Sequence, residues 1–148
     1  IYTMQQRQKG FSSGLRTIGW EEQTHVHHSD FSVEGGYRAG KKILESPAPP
    51  TAVFCSNYEI TLGLIMAMNE LDVKIHDDVS LIGFDNLMLS GVIKPKITML
   101  VQPIQTIARQ ITALILAQLQ AYSSKHSVIT LEPKLVRGKS VRDLNAQS

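Results

Sequence analysis

A single cysteine, Cys55, stands among 148 residues, so no internal disulfide can staple this chain and its fold must rest on apolar burial. That usage points to a reducing compartment, and the expected location is cytoplasmic. No apolar run is long enough to span a bilayer, which takes about 20 residues. Basic residues exceed acidic ones only slightly, 15 against 13, for a formal charge of +2. The charges are scattered, the densest basic stretch being "RGKSVR" at 137–142, which argues against a broad nucleic-acid-binding face. A phosphate loop, a dinucleotide fingerprint and a nucleophile elbow are all missing, and no set of acid, base and nucleophile stands out. The expectation is a protein that is not an enzyme and carries no cofactor. The chain opens on Ile1 rather than methionine with no signal peptide ahead of it, and reads as a processed or truncated piece.

What is present is enough for a real core, with 43% hydrophobic residues. Residues 3–18 lack proline and space Phe11, Leu15 and Ile18 four and three apart, predicting a helix closed by Gly19. "THVHH" at 24–28 is β-branched and aromatic enough for a short strand. Ser32 can cap a second helix running to about Glu45, with Val33, Tyr37 and Leu44 on one face and Gly40 among them. "SPAPP" at 46–50 ends it. "TAVFC" at 51–55 is a strand of the doubly buried kind, and Ser56 with Glu59 has capping-box spacing for a third helix with Ile60, Leu64, Met68 and Leu71 on one face. "VSLIGF" at 79–84 and "ITMLV" at 97–101 are two more buried strands. Pro103 then opens a long helix to about Tyr122, and "VITLEPKLV" at 128–136 reads as closing strands. The alternation calls for an α/β fold with an open, mainly parallel sheet and flanking helices.

In such sheets ligands sit beyond the carboxyl ends of the strands. Two strands here end in polar groups: Ser56 and Asn57 follow "TAVFC", and Asp85 follows "LIGF". Asn57 and Asp85 together offer acceptors and donors suited to vicinal hydroxyls or the edge of a heterocycle. The plainer alternative is that Asn57 caps a helix and Asp85 braces a turn. His25, His27 and His28 invite a metal, but no third ligand at convincing spacing accompanies them, and exposed histidines on a half-buried strand are the favoured reading, so no metal site is expected. Cys55 with one of these histidines could make a nucleophile; its place at the end of a buried strand favours an inert core thiol. Gly35 and Gly36 read as helix-packing residues, and Met66 and Met68 as core.

Read together, four segments resemble the LacI/GalR family of bacterial transcription regulators in their effector-binding core. "RQKGF" (7–11) looks like its R-x-x-G-[FW] helix, and "DFSVEGGYRAGKKIL" (30–44) like its aromatic-then-helix element. The stretch from Pro50 to Asn86 follows the long P-T-A…N…S-[IV]-[IV]-G-[FY]-D signature, and "KPKITMLVQPIQTIARQ" (94–110) follows P-P-[LI]-T-[TS]-[IV]-x-Q-[PD]. Departures are Tyr58, Thr61, Asp72 and His76, where the pattern has an acid, an alanine, a glycine and a proline.

The resemblance implies a periplasmic-binding-protein-like fold with effector held between two α/β subdomains. Residues 1–102 and 127–148 would be mostly the carboxyl-terminal subdomain, and 103–126 the crossover helix of the amino-terminal one; the helix-turn-helix domain is absent from this stretch. The stripe Ile104, Ile107, Ile111, Leu114 and Ile115 would then need a cover from elsewhere, such as a second chain. By position, Arg7, Phe31, Asn57 and Asp85 match effector contacts, with Gln102 a weaker match. The implied effector is a sugar-like or nucleobase-like molecule that allosterically controls operator binding by a homodimer, with no membrane involved. A periplasmic sugar-binding receptor for a transporter shares the fold and is the second reading. "NLMLSGVI" at 86–93 reads as a surface connection unusually rich in Leu87, Met88, Leu89, Val92 and Ile93. With Leu62 and Met66, which lie off the core stripe of their helix, Leu89 and Ile93 form the expected dimer interface.

Overall fold

Three apolar strand segments fall between helices, and they pair in parallel as that alternation requires. The computed structural model describes residues 2–21, 25–85, 87–121 and 128–144, the side chains at 87, 89 and 121 excepted. Tyr2–Thr17 form α1, Val33–Leu44 α2, Ala52–Phe54 β1, Tyr58–Glu70 α3, Ser80–Phe84 β2, Leu87–Val92 α4, Thr98–Val101 β3, Ile104–Ala121 α5 and Lys134–Val136 β4. The sheet runs β1-β2-β3-β4, the first three strands parallel and β4 antiparallel to β3. Because β1, β2 and β3 are parallel, their carboxyl ends gather along one edge.

The helix ends follow local chemistry. Gly19 takes φ +75 after α1, and Trp20 N–H reaches back to the Leu15 carbonyl at 3.0 Å, a left-handed stop that glycine adopts without strain. The Ser32 hydroxyl caps α2 by accepting from Gly35 N–H at 2.9 Å. Helix α3 is capped one residue later than the Ser56–Glu59 spacing suggested. Asn57, in extended backbone, accepts from Ile60 N–H at 2.8 Å. Serine and asparagine cap about equally well, so composition alone does not choose between neighbours. Beyond α3, Asp72 takes φ +53 and His76 takes φ +81. The first is a left-handed stop that an aspartate tolerates; the second is a conformation closed to the proline of the family pattern.

Helices α2 and α3 pack almost backbone to backbone. A Cβ on Gly36 would lie 2.7 Å from Ile60 Cα, and one on Gly63 would lie 2.1 Å from the Val33 carbonyl oxygen. Gly40 meets Leu64 and Ala67, whereas Gly35 abuts Asp30 rather than the other helix. Under this pair lies the core: Cys55, Leu64, Ile65, Met68, Val79, Leu81, Ile97 and Met99. Met68 is wholly buried but Met66 is 49% exposed, so only one of the two methionines is core. The buried Ser140 hydroxyl donates to the Leu81 carbonyl and accepts from Thr98 N–H at 2.8 Å, joining β2 to β3 where a lost partner costs about 1–3 kcal/mol.

Four expectations need correction. Strand β1 is not buried on both faces: it is the edge strand of the sheet, with Ala52 exposed and Val53 and Phe54 half-buried. Residues 25–28 form no strand; the sheet ends at β1, so this segment has no ladder to join, and the His25 ring stacks on Trp20 at 4.8 Å. Thr24 lies outside the described residues. Of 128–136 only Lys134–Val136 is strand; Pro133 brings no N–H to a ladder, and Val128 is almost fully exposed. The stretch 86–93 is no plain connection, since it contains α4, seated by the buried Ser90 hydroxyl donating to the Ile97 carbonyl at 2.6 Å. Helix α5 leaves Ile104, Ile111, Ile115, Leu116 and Leu119 more than half exposed. Ile107, Ile111 and Leu114 share a shallow cleft with Ile129 and Leu131. Among the described residues no helix is long and apolar enough to cross a membrane.

Candidate functional site

The carboxyl edge of the sheet collects the polar residues that the strands deliver. Cys55 N–H continues the β1 ladder to the Ile82 carbonyl at 2.9 Å, and Asp85 N–H continues β2 to the Leu100 carbonyl at 2.7 Å. The chain then leaves the sheet at Asp85 through φ +65, a left-handed turn that aspartate tolerates better than most residues. Gln102 stands just past β3. Its Nε2 donates to both Asp85 oxygens, at 3.0 and 2.9 Å.

Arg7 comes to this edge from α1. Arg7 and Phe11 are four residues apart and share a helix face; Phe11 stacks on Phe54 with centroids 6.0 Å apart, which sets the helix over the strand ends. The guanidinium Nη1 donates to the Ser56 carbonyl at 2.5 Å, and Nη2 lies 3.9 Å from Asp85 Oδ2. Its carbon sits 3.6 Å from the centroid of the Phe84 ring. Burial lowers the Arg7 pKa from its ordinary value, and the Asp85 charge opposes that shift. Arginine nonetheless remains protonated in proteins, so the pair is a carboxylate facing a guanidinium. The side chains are 17% and 32% exposed, enough for a solute to reach them.

Of the five anticipated ligand contacts, Arg7, Asp85 and Gln102 therefore meet directly. Asn57 is next to Ser56, buried, with its Oδ1 occupied by the α3 cap. The helix-cap reading of Asn57 is thus realised, and its amide N–H groups are what remain for other work. Phe31 sits ahead of α2, 45% exposed, and among the described residues no ring contact or polar bond joins it to the other four. Sequence reasoning passed over the Ser56 carbonyl and the Phe84 ring. The i, i+4 spacing of Arg7 and Phe11 was the available signal for the first, because it aims Arg7 at the end of the strand that Phe11 covers.

The other candidates do not assemble. Burial pushes the Cys55 thiol up to about 12, with a hydrogen bond to Thr61 pulling the other way, so almost no thiolate is present at neutral pH. His25, His27 and His28 are exposed, and among the described residues no three His, Cys, Asp or Glu side chains are grouped to hold a metal. Of the expected interface residues, Met66 is half exposed, while Leu62 and Ile93 are partly buried against this chain's own core. The Leu89 side chain lies outside the described residues. Met88 and Val92 are the strongly exposed members of α4.

Residues 2–141 match the family described as periplasmic binding protein-like domain. The chain is 28% identical over 144 residues to the HTH-type transcriptional repressor PurR of Photobacterium profundum, covering 97% of this chain and 43% of that protein. It is 35% identical over 115 residues to the HTH-type transcriptional repressor CytR of Escherichia coli K12, covering 77% and 34%. It thus spans less than half the length of these curated relatives. A solved LacI family transcriptional regulator from Enterococcus faecium with bound ribose superposes with a TM-score of 0.81 at 30% identity, covering 91% of this chain and 50% of that one.

Proposed function

We infer, because the chain belongs to the family of periplasmic-binding-protein-like domains and within it resembles LacI-type regulators, that it is the ligand-sensing and dimerising part of a cytoplasmic transcriptional repressor. The ligand is a small polar ring, sugar-like or nucleobase-like, held at the carboxyl edge of the sheet. One observation carries this reading: Asp85, Gln102 and Arg7, from three separate elements, converge there. A carboxylate and a guanidinium form charge-assisted bonds to hydroxyls or ring nitrogens, each stronger than a neutral pair. Asp85 is already engaged by the Gln102 amide, so a ligand gains only the difference between its own bonds and those it displaces. Half-exposed Phe31 is available as an apolar face for a sugar or a base.

Control of operator DNA is allosteric in this reading. Ligand favours one arrangement of the ligand-holding halves, and the dimer passes that preference to a DNA-reading part beyond this chain. The names of the relatives, HTH-type repressors, support this over a periplasmic receptor. Calorimetric titration of the full-length protein with D-ribose, adenosine and cytidine tests it. Saturable binding of at least one, with a matching change in operator affinity, is expected; operator binding indifferent to every such compound would contradict it.

The proposed dimer face comprises half-exposed Met66 with Leu62 from α3, Leu89 from α4 and Ile93 just after it. Met66→Asp would place a charge against its own copy across a two-fold axis, where an unpaired buried charge costs several kcal/mol. Sedimentation of the full-length variant at micromolar concentration should show monomer. A stable dimer would place the interface elsewhere.

A further inference from the structure

Arg7 reaches the site on a long side chain with many rotamers, yet its guanidinium is held on two edges and one face. Ser56 fixes Nη1, Asp85 draws Nη2, and the Phe84 ring lies against the plane with the guanidinium carbon 3.6 Å from its centroid. Phe84 and Asp85 are consecutive, and along a regular strand they would address opposite faces of the sheet. The left-handed turn at Asp85, φ +65, breaks that alternation, so both residues address the same guanidinium. Phe84 is 7% exposed, yet it stands outside the main apolar cluster around Met68 and Leu81. A buried aromatic with a cation on its face has a more particular task than filling volume.

We propose that Phe84 is the positioning residue for Arg7: its ring fixes the plane in which the guanidinium meets a ligand. The proposal rests on the reading of Arg7 as a ligand-contacting group. The attraction is electrostatic and needs a π face; leucine fills comparable space without supplying one. Arginine suits the place better than lysine because a planar cation stacks and still keeps its edge donors free.

The test uses full-length protein labelled with [15N]arginine, the Arg7 Nε–H resonance being assigned by its loss in Arg7→Gln. A proton above a ring face is shifted upfield, so this resonance should stand upfield in the wild type, move to the ordinary position in Phe84→Leu and stay upfield in Phe84→Tyr. An Arg7 resonance at the ordinary position in the wild type, or unmoved by Phe84→Leu, overturns the proposal. Titration with whichever of D-ribose, adenosine and cytidine binds should show affinity reduced about ten-fold in Phe84→Leu and restored in Phe84→Tyr. Equal affinity in wild type and Phe84→Leu overturns the positioning role. Failure of all three compounds to bind the wild type tells against the ligand reading instead, while the resonance still decides where Arg7 is held.

Discussion

Gly63→Ala is expected to destabilise the fold by about 3 kcal/mol, at the upper end of overpacking penalties. The added Cβ would lie 2.1 Å from the Val33 carbonyl oxygen, 2.5 Å from Tyr37 N and 2.8 Å from Gly36 C. All three are main-chain atoms of α2, so no side chain can swing aside and the two helices must separate. Separation uncovers Leu64 and Met68, which the pair buries almost completely. Alanine's better helix propensity returns only about 1 kcal/mol. Against a total stability of roughly 5–15 kcal/mol, the loss is large. Gly40→Ala is the milder control, since its Cβ first meets the Leu64 Cδ1 atom at 3.0 Å and the Ala67 Cβ at 3.1 Å. Urea unfolding reads the result: the midpoint should fall sharply for Gly63→Ala with little change in slope. An unchanged midpoint would mean that the helices do not approach this closely.

Removing the charge at Asp85 should have the opposite profile, leaving the fold standing and emptying the site. Its carboxylate is bonded to Gln102 at the sheet edge and lies 3.9 Å from Arg7. Loss of a hydrogen bond to an ionised group weakens binding by about 1.5–3 kcal/mol, or roughly ten- to a hundred-fold in Kd. Asp85→Asn is the cleaner variant, because asparagine accepts the left-handed backbone at φ +65 while alanine adds strain of about 1–2 kcal/mol. Both should titrate more weakly than wild type, and Asp85→Asn should keep the wild-type urea midpoint. Unaltered affinity would remove Asp85 from the site.

How far the residues announce this structure depends on how local the determining physics is. The helix α1 was legible because its apolar spacing and Gly19 act within the helix itself. The three parallel strands were legible as apolar runs between helices, but not their depth: β2 is central, whereas β1 lies at the edge of the sheet with Ala52 exposed. Residues 25–28 and 128–133 misled because a strand exists only beside a partner, and β propensity does not supply one. Helix α4 was hidden in a stretch with no helical stripe, and the Ser90 bond to Ile97 that helps to seat it leaves no mark in the sequence. The site was legible as strand-end polar residues and, for Arg7 and Gln102, through family resemblance. Phe84 was not, since nothing in its neighbours states that Asp85 turns left-handed and brings the ring to Arg7. Leu62 looked free by periodicity and Ile93 as part of a surface connection, but neither pattern registers the partial cover given by the rest of the chain.

The most direct measurement of the central claim is a crystal structure of the full-length protein grown with the compound that titrates most tightly among D-ribose, adenosine and cytidine. The compound's density should lie at the carboxyl edge of the sheet, with ring hydroxyls or ring nitrogens within hydrogen-bond distance of the Asp85 carboxylate and the Arg7 guanidinium. Density at another surface, with Asp85 still engaged only by Gln102 and Arg7, would contradict the account.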